Sequence, residues 1–90
     1  MRVKLITYQL KNYPVDYPRI SSELMKNSKW AKPMERVWLI QTDKKTSEIR
    51  DILKASILHG GSILVMDVTG SAWASLSIPA KVATWLKENL

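Results

Sequence analysis

The sequence predicts one α+β domain in which short strands alternate with amphipathic helices. Two observations indicate this class. β-Branched and aromatic residues are concentrated in short runs, such as residues 2–10 and 62–69, as is typical of strands. Between such runs, apolar residues recur at intervals of three and four, as at Ile49, Ile52 and Leu53, which is typical of a helix with one face on a core.

Size and composition limit the possible classes of protein. With 90 residues, 46% of them hydrophobic, the chain has room for a single domain, which we expect to span residues 1–90. The chain contains no cysteine, which excludes disulfides and thiolate zinc sites and favours a cytoplasmic location. We expect neither a signal peptide nor a membrane span, because the first residues enter a strand pattern directly. The net charge of +6 favours nucleic acid or acidic partners, although a solvated coat of lysines explains it equally well.

The first half of the chain predicts a strand, a helix and a hairpin. Residues 2–10 form the first strand. Asp16 precedes a proline by two residues, so we expect it to cap a first helix of about three turns. Residues 34–42 form the clearest strand, and Pro33 is expected to close a tight turn between it and a short extended piece at residues 30–32.

The second half predicts a helix, a strand and a last helix. The second helix begins near Ser47 and stops at Gly60, because glycine readily adopts the left-handed exit conformation. Residues 62–69 are apolar at neighbouring positions, so we expect this strand to be central in the sheet or covered on both faces. A connector over residues 70–77 leads to Pro79, which opens the last helix.

This order of elements predicts a particular architecture. Right-handed crossovers place the two long helices on one face of one sheet. The result is a ferredoxin-like split β-α-β sandwich with an antiparallel sheet, two crossover helices and a C-terminal helix.

The middle strand carries apolar side chains on both of its faces. Alternation divides them into two sets, namely Val37, Leu39 and Gln41 on one side and Arg36, Trp38 and Ile40 on the other. Because the crossover helices cover one face only, the other face needs the C-terminal helix or a second copy of the chain. Covering two or three large side chains is worth several kcal/mol at roughly 25 cal/mol per Å². We therefore predict a homodimer with the C-terminal segment near its interface.

Short segments over nearly the whole chain resemble a family of small bacterial and phage proteins described as SinR-like. The segments that carry the resemblance are residues 5–10, 37–42, 48–53, 63–70, 72–73 and 85–87. That family is in turn distantly similar to the small CRISPR-associated nuclease that accompanies the spacer integrase and to the VapD ribonuclease toxins. The resemblance implies a homodimeric ferredoxin fold with an acid at the end of the first strand, where two subunits would hold a divalent ion.

Gln9 occupies the position at which those relatives usually carry an aspartate. It follows the aromatic Tyr8, as the acid does in the relatives. An amide is a poorer ligand than a carboxylate for a hard dication, so the substitution argues against metal-assisted cleavage at this position. Gln9 could instead bind a phosphate or a base edge by hydrogen bonds, or it could simply face water.

Two aspartates and one histidine are the remaining candidates for chemistry. Asp67 interrupts an apolar run and would need a partner if buried, and Asp43 lies close to the end of the middle strand. Local spacing brings neither acid beside another one, so caps and surface charges explain them as well as catalysis does. His59 follows the second helix, where an imidazolium favours the helix dipole. No ligand cluster for a metal is evident from spacing.

Basic residues around Trp30 form the candidate nucleic-acid site. They are Lys26, Lys29, Lys32 and Arg36. Lysines interleaved with an aromatic residue are a common way to hold single-stranded nucleic acid, although Trp30 could equally belong to the core.

Three functions are compatible with these features. The first is binding of RNA or DNA by a homodimer with little or no catalysis and no cofactor. The second is a ribonuclease dependent on magnesium or manganese, in which Asp67 or Asp43 replaces the missing acid. The third is a scaffold or accessory subunit that binds another protein through a sheet edge.

Overall fold

The computed structural model describes residues 2–90, and Met1 of the expected domain lies outside the described residues. Residues 2–90 form four strands and three helices. Their bounds are β1 Val3–Leu10, α1 Tyr13–Met25, β2 Trp30–Met34, β3 Val37–Gln41, α2 Thr46–Ser56, β4 Gly61–Asp67 and α3 Ala80–Asn89. The predicted α+β class, with its antiparallel sheet and a helix at the C-terminus, is confirmed.

The strands form one sheet in the order β2-β3-β1-β4, and all neighbours are antiparallel. In the middle of β1, Ile6 lies between Trp38 of β3 and Val65 of β4. The arrangement is compatible with a ferredoxin-like fold. Strands β2 and β4 are the two edges of the sheet.

One face of the sheet packs on α1 and α2. The shared core contains two apolar residues from each helix, Ile20 and Leu24 of α1 and Ile49 and Leu53 of α2, all buried against Trp38. Trp38 is fully buried, and its indole N–H donates a 3.0 Å hydrogen bond to the Tyr8 hydroxyl. This core is the larger of the two in the molecule, so it fixes the positions of α1 and α2 on the sheet.

The opposite face packs on α3. Val82 and Leu86 of this helix are buried against Val3, Ala31 and Leu39 of the sheet. The predicted need for cover on both faces is therefore met in part within one chain, since α3 covers the half of this face near the start of β1.

The hairpin turn and the position of β4 in the sheet differ from the prediction. Pro33 lies within β2 instead of closing a turn, and the hairpin turns at Glu35 and Arg36, where Arg36 has a φ of 62°. An edge strand accommodates proline because one side of its backbone needs no partner strand.

Strand β4 is an edge strand, so the expectation that residues 62–69 are central or doubly covered is wrong. Leu64 and Met66 remain exposed.

The start of α1 also differs. The helix begins at Tyr13, so Asp16 lies inside its first turns and does not cap it. Pro14 is tolerated in the first turn because amides there have no partner within the helix, whereas Pro18, predicted for the first turn, lies inside the helix. The Asp16 side chain is instead fully buried and contacts the loop between α2 and β4.

Between β4 and α3, residues 68–79 form an extended connector, which we call the strap. It runs along the α3 face of the sheet and contributes Trp73 and Leu76 to that surface. Within residues 2–90, no helix combines the length and apolar character that crossing a membrane requires.

Candidate nucleic-acid interface

A groove with two tryptophans and two lysines runs between the edge strand β2 and α3. It encloses about 510 Å³. The residues that line it, which we call the Trp–Lys groove, are Trp30, Ala31, Lys32, Pro79, Lys81, Val82 and Trp85. No aspartate or glutamate is among these lining residues.

Strand β2 and helix α3 each position one tryptophan in the groove. Trp30 pairs with Ile40 at the start of β2, and its ring lies 5.2 Å from that of Trp38, which leaves 38% of Trp30 exposed. On α3, Val82 is buried in the core, while Trp85 is half-buried at its margin. By register Trp30 shares the α1–α2 face with Ile40, so it borders the groove from the edge of β2, whereas Trp85 borders it from α3.

The lysines at and beside the groove differ in how exposed they are. Lys81 is exposed on α3, four residues before Trp85 and hence on the same side of the helix. Lys29 is exposed beside Trp30. Lys32 is half-buried: its ammonium lies 4.9 Å from the ring centre of Tyr17 and 5.4 Å from that of Trp38, and it donates a hydrogen bond to the Tyr17 hydroxyl.

The structure distributes the predicted basic residues along β2 and does not gather them at one point. Lys26 lies just after α1, where its ammonium forms a 2.8 Å ion pair with Glu23. Lys32 lines the groove, Lys29 precedes it at the start of β2, and Arg36 lies in the hairpin turn beyond the far end of β2. At about 3.3 Å per residue, Lys29 and Arg36 are roughly 20 Å apart along the strand direction.

Arg36 lies close to the candidate Gln9. Its guanidinium carbon is 4.4 Å from the ring centre of Tyr13, and both Arg36 and Gln9 line a shallow depression of about 480 Å³. Gln9 is exposed and pairs with Ser62 at the end of β1. The depression therefore brings together the predicted polar position and one of the predicted basic residues.

Two tyrosines and one acid hold the hairpin turn against α1. The hydroxyls of Tyr13 and Tyr17 donate hydrogen bonds of 3.3 and 3.2 Å to Glu35, and their rings stack 4.5 Å apart. Burial, and then the adjacent Glu35 carboxylate, raise the pKa of the Tyr17 hydroxyl above its ordinary value. The Tyr17 hydroxyl therefore remains a protonated donor at neutral pH.

Asp67 is surrounded by cationic side chains. Its Oδ2 accepts hydrogen bonds from Arg2 Nε at 2.8 Å and Lys4 Nζ at 3.3 Å, and its Oδ1 accepts one from the Thr69 amide at 3.0 Å. The hydrogen bonds from Arg2 and Thr69 hold the pKa of the Asp67 carboxyl well below its usual range. The partner that the sequence required for this acid is present, and it is a pair of cations.

Asp43 is exposed after β3 and remote in sequence from Asp67. Within residues 2–90, no group of three or more histidine and acidic side chains is placed to hold a metal ion. The candidate acids Asp43 and Asp67 therefore do not form part of such a cluster in the described chain.

Asp16 and His59 form a polar pair that the sequence did not reveal. The Asp16 carboxylate accepts hydrogen bonds from the amides of Leu58 at 3.0 Å and His59 at 2.9 Å, and His59 Nδ1 lies 3.4 Å away. Burial opposes ionisation of Asp16, but these donors outweigh it, so the pKa of the carboxyl lies below its ordinary value. His59 thus contacts an acid of α1 in addition to following α2.

Sequence reasoning missed Lys81 and Trp85 as groove residues. Their spacing of four on a helix was an available signal, but Trp85 also fits the apolar pattern of a core position, and part of it does pack on the core. Only the placement of α3 beside β2 brings the two residues close to Trp30.

Comparisons with protein-family models, with curated proteins and with solved structures find no match for this chain.

Proposed function

We propose that the protein binds single-stranded nucleic acid in the Trp–Lys groove. The observation that carries this proposal is that Lys81 and Trp85 of α3 line a groove whose other wall is the β2 edge with Trp30 and Lys32, and no acidic residue lines it. The Lys32 ammonium itself contacts Tyr17 and Glu35. Aromatic rings offer stacking surfaces to bases of any sequence, and lysines neutralise the phosphates between them. The proposal concerns binding and includes no catalytic step.

The charge and the fold support the same function. The chain carries 14 lysines and arginines against eight acids, which favours encounters with a polyanion. Lys29 at one end of β2 and Arg36 beyond the other extend the basic surface past the groove, enough for a strand of several nucleotides. We also infer a ferredoxin-like fold related to the SinR-like family and a cytoplasmic location, on the grounds of the element order and the absence of cysteine from the sequence.

Fluorescence anisotropy with labelled single-stranded RNA and DNA oligonucleotides tests the proposal. Affinity should fall steeply as salt rises from about 50 to 200 mM, because phosphate contacts release counterions. Replacing Trp30 by alanine removes one stacking surface and should weaken binding by about 1–3 kcal/mol. Lys81→Gln should weaken binding and lower the salt slope by about 1.

Lys54→Gln is the matched control, because Lys54 is an exposed lysine in the last turn of α2, outside the groove. It should leave affinity close to that of the unchanged protein. Circular dichroism of the Trp30→Ala variant separates lost stacking from lost folding. Absence of binding at about 50 mM salt, or equal effects of Lys54→Gln and Lys81→Gln, would contradict the proposal.

A metal-dependent ribonuclease is less well supported. Arg2 and Lys4 already neutralise the Asp67 carboxylate, and a dication there would have to displace them or share the acid with them. Incubating single-stranded RNA with magnesium or manganese tests this alternative, with Asp67→Asn as the variant that should abolish cleavage. Activity gained by Gln9→Asp alone would identify Gln9 as the disabling residue.

A scaffold that binds another protein by strand addition is the third candidate. Of the two edges, β2 is interrupted by Pro33, whereas β4 contains no proline, so β4 is the edge that could accept a strand. Pull-down of partners together with indifference to nucleic acid would favour this function. The homodimer remains part of our leading proposal, and its surface is argued next.

A further inference from the structure

The part of the sheet face on the α3 side that carries Leu64 and Met66 is left about half exposed by α3 and the strap. Strand pairing places Thr7 of β1 between Val37 of β3 and Leu64 of β4, on the same face as Leu5. Leu64 and Met66 are about half exposed on this face. Because α3 packs at the other end of the sheet, these apolar side chains are left in contact with solvent.

The strap adds both a recess and a protrusion to the same surface. An apolar groove of about 360 Å³ lies between the strap and the sheet, lined in part by Leu5, Val37 and Trp73. A cavity of about 150 Å³ already holds a benzene molecule, so this groove has room for a leucine side chain. At its rim Leu76 projects from the strap and is 90% exposed.

A protrusion and a matching recess on one surface are what a two-fold interface requires. In such an interface the same patch is used by both subunits, so it must be complementary to itself. A surface with only a recess, or only a protrusion, would fit an unrelated partner better than a second copy.

The charge of this surface also favours a second copy. No lysine, arginine, aspartate or glutamate is among the residues that line the apolar groove, and the neighbouring positions Thr7, Gln9, Ser62 and Leu64 are uncharged as well. The apolar groove itself offers no cation to nucleic acid or to an acidic partner, and the charges beside this surface are one acid and one base, Glu35 and Arg36. Two copies that each carry a net charge of +6 can meet on this neutral surface with their charges directed elsewhere.

Large exposed apolar side chains are grouped on this surface. They are Met34, Leu64, Met66, Trp73 and Leu76. Large contiguous apolar patches on a monomer mark interaction sites. A standard interface buries about 800 Å² per partner, so a second copy would also cover uncharged residues around these five side chains.

We propose that this surface docks on a second copy of the chain, with Leu76 of each subunit seated in the apolar groove of the other. This inference rests on the proposed homodimer and is independent of nucleic-acid binding, because the apolar groove and the Trp–Lys groove share no residue. Failure of one proposal is therefore distinguishable from failure of the other.

Sedimentation velocity on the full chain tests the dimer. The unchanged protein should sediment at twice the 10.3 kDa chain mass at concentrations on the order of 100 μM. Leu76→Glu should weaken self-association by roughly 30-fold or more, as expected for a residue central to an interface. Because Leu76 is almost fully exposed within one chain, the substitution should leave the circular dichroism spectrum unchanged. Met34→Glu, at the sheet side of the groove, should act in the same direction.

Leu58→Glu is the matched control, since Leu58 is 63% exposed in the loop before β4. It should leave the dimer intact. A monomeric unchanged protein, a Leu76→Glu variant that remains dimeric, or dissociation by Leu58→Glu would each overturn the proposal.

Discussion

Asp16 in α1 accepts a hydrogen bond from the backbone amide of His59, 2.9 Å away and 43 positions later in the sequence. The same carboxylate also accepts a hydrogen bond from the amide of Leu58. A buried carboxylate with two amide donors is stabilised in its charged form. This contact therefore fixes the loop between α2 and β4 to the first helix.

Removing the charge of Asp16 should loosen that loop. In Asp16→Asn one amide can still find an oxygen acceptor, but the charge-assisted hydrogen bonds are lost. We expect the melting temperature to fall by several degrees and the amides of Leu58 and His59 to exchange faster. Thermal unfolding followed by circular dichroism measures the first effect, and native-state hydrogen exchange measures the second. Asp51→Asn, at an exposed acid on α2, should change neither, and equal behaviour of the two variants would refute the role of Asp16.

Acid should destabilise the protein through Asp16 and Asp67. The pKa values of both carboxyls are lowered in the folded chain, so their contribution to stability is fully present above the unfolded value of about 4. That contribution is lost as the pH falls below about 4 towards the folded pKa values. Urea unfolding at a series of pH values should show the loss, and Asp67→Asn should reduce it. A pH-independent midpoint between about pH 5 and 2 would contradict this assignment.

Loss of the Tyr8 hydroxyl should lower the stability of the protein, because it accepts a buried hydrogen bond from Trp38. Tyr8→Phe leaves the indole N–H of Trp38 without its acceptor in a buried site, which should cost about 1–3 kcal/mol of unfolding free energy. Tyr13→Phe is the control, because the Tyr13 hydroxyl contacts an exposed acid at 3.3 Å; it should change stability by about 0.5 kcal/mol or less. Denaturant unfolding of the two variants gives the comparison.

Two glycines with positive φ should differ in their tolerance of a side chain. At Gly61, with φ of 149°, an added Cβ would lie 2.6 Å from the backbone oxygen of Gln9. At Gly70, with φ of 72°, it would meet nothing within 4 Å. Gly70→Ala should therefore cost about 1–2 kcal/mol for the backbone conformation alone, and Gly61→Ala clearly more. Equal thermal stabilities would show that β4 moves to accommodate the side chain.

The sequence alone predicts the existence and type of those strands and helices in which apolar residues recur with a regular period. Strand β1 agrees with the prediction to within one residue, whereas helix α2 ends at Ser56 and not at Gly60, because Ile57 is already extended. The sequence predicts too late a start for helix α1, because Asp16 has the chemistry of a cap. The actual partner of the Asp16 side chain, the loop at Leu58 and His59, is distant in sequence.

The candidate sites required the fold. Lysines around Trp30 are visible in the sequence, but their separation along β2, the ion pair of Lys26 and the approach of α3 with Trp85 depend on packing. Likewise, the sequence indicated that Asp67 needs a partner. Pairing of Lys4 with Asp67 across β1 and β4 is what supplies it.

The position of β1 between β3 and β4 also affects how the protein is made. A ribosome releases β1 first, yet its second neighbour is complete only when residue 67 has emerged from the exit tunnel. Until then the nascent chain cannot close its sheet, and the apolar side of β1 is available to chaperones or to other nascent copies. Such long-range pairing slows folding relative to a helical domain of equal length, so synthesis rate and temperature should affect the soluble yield of this protein more strongly than its final stability suggests.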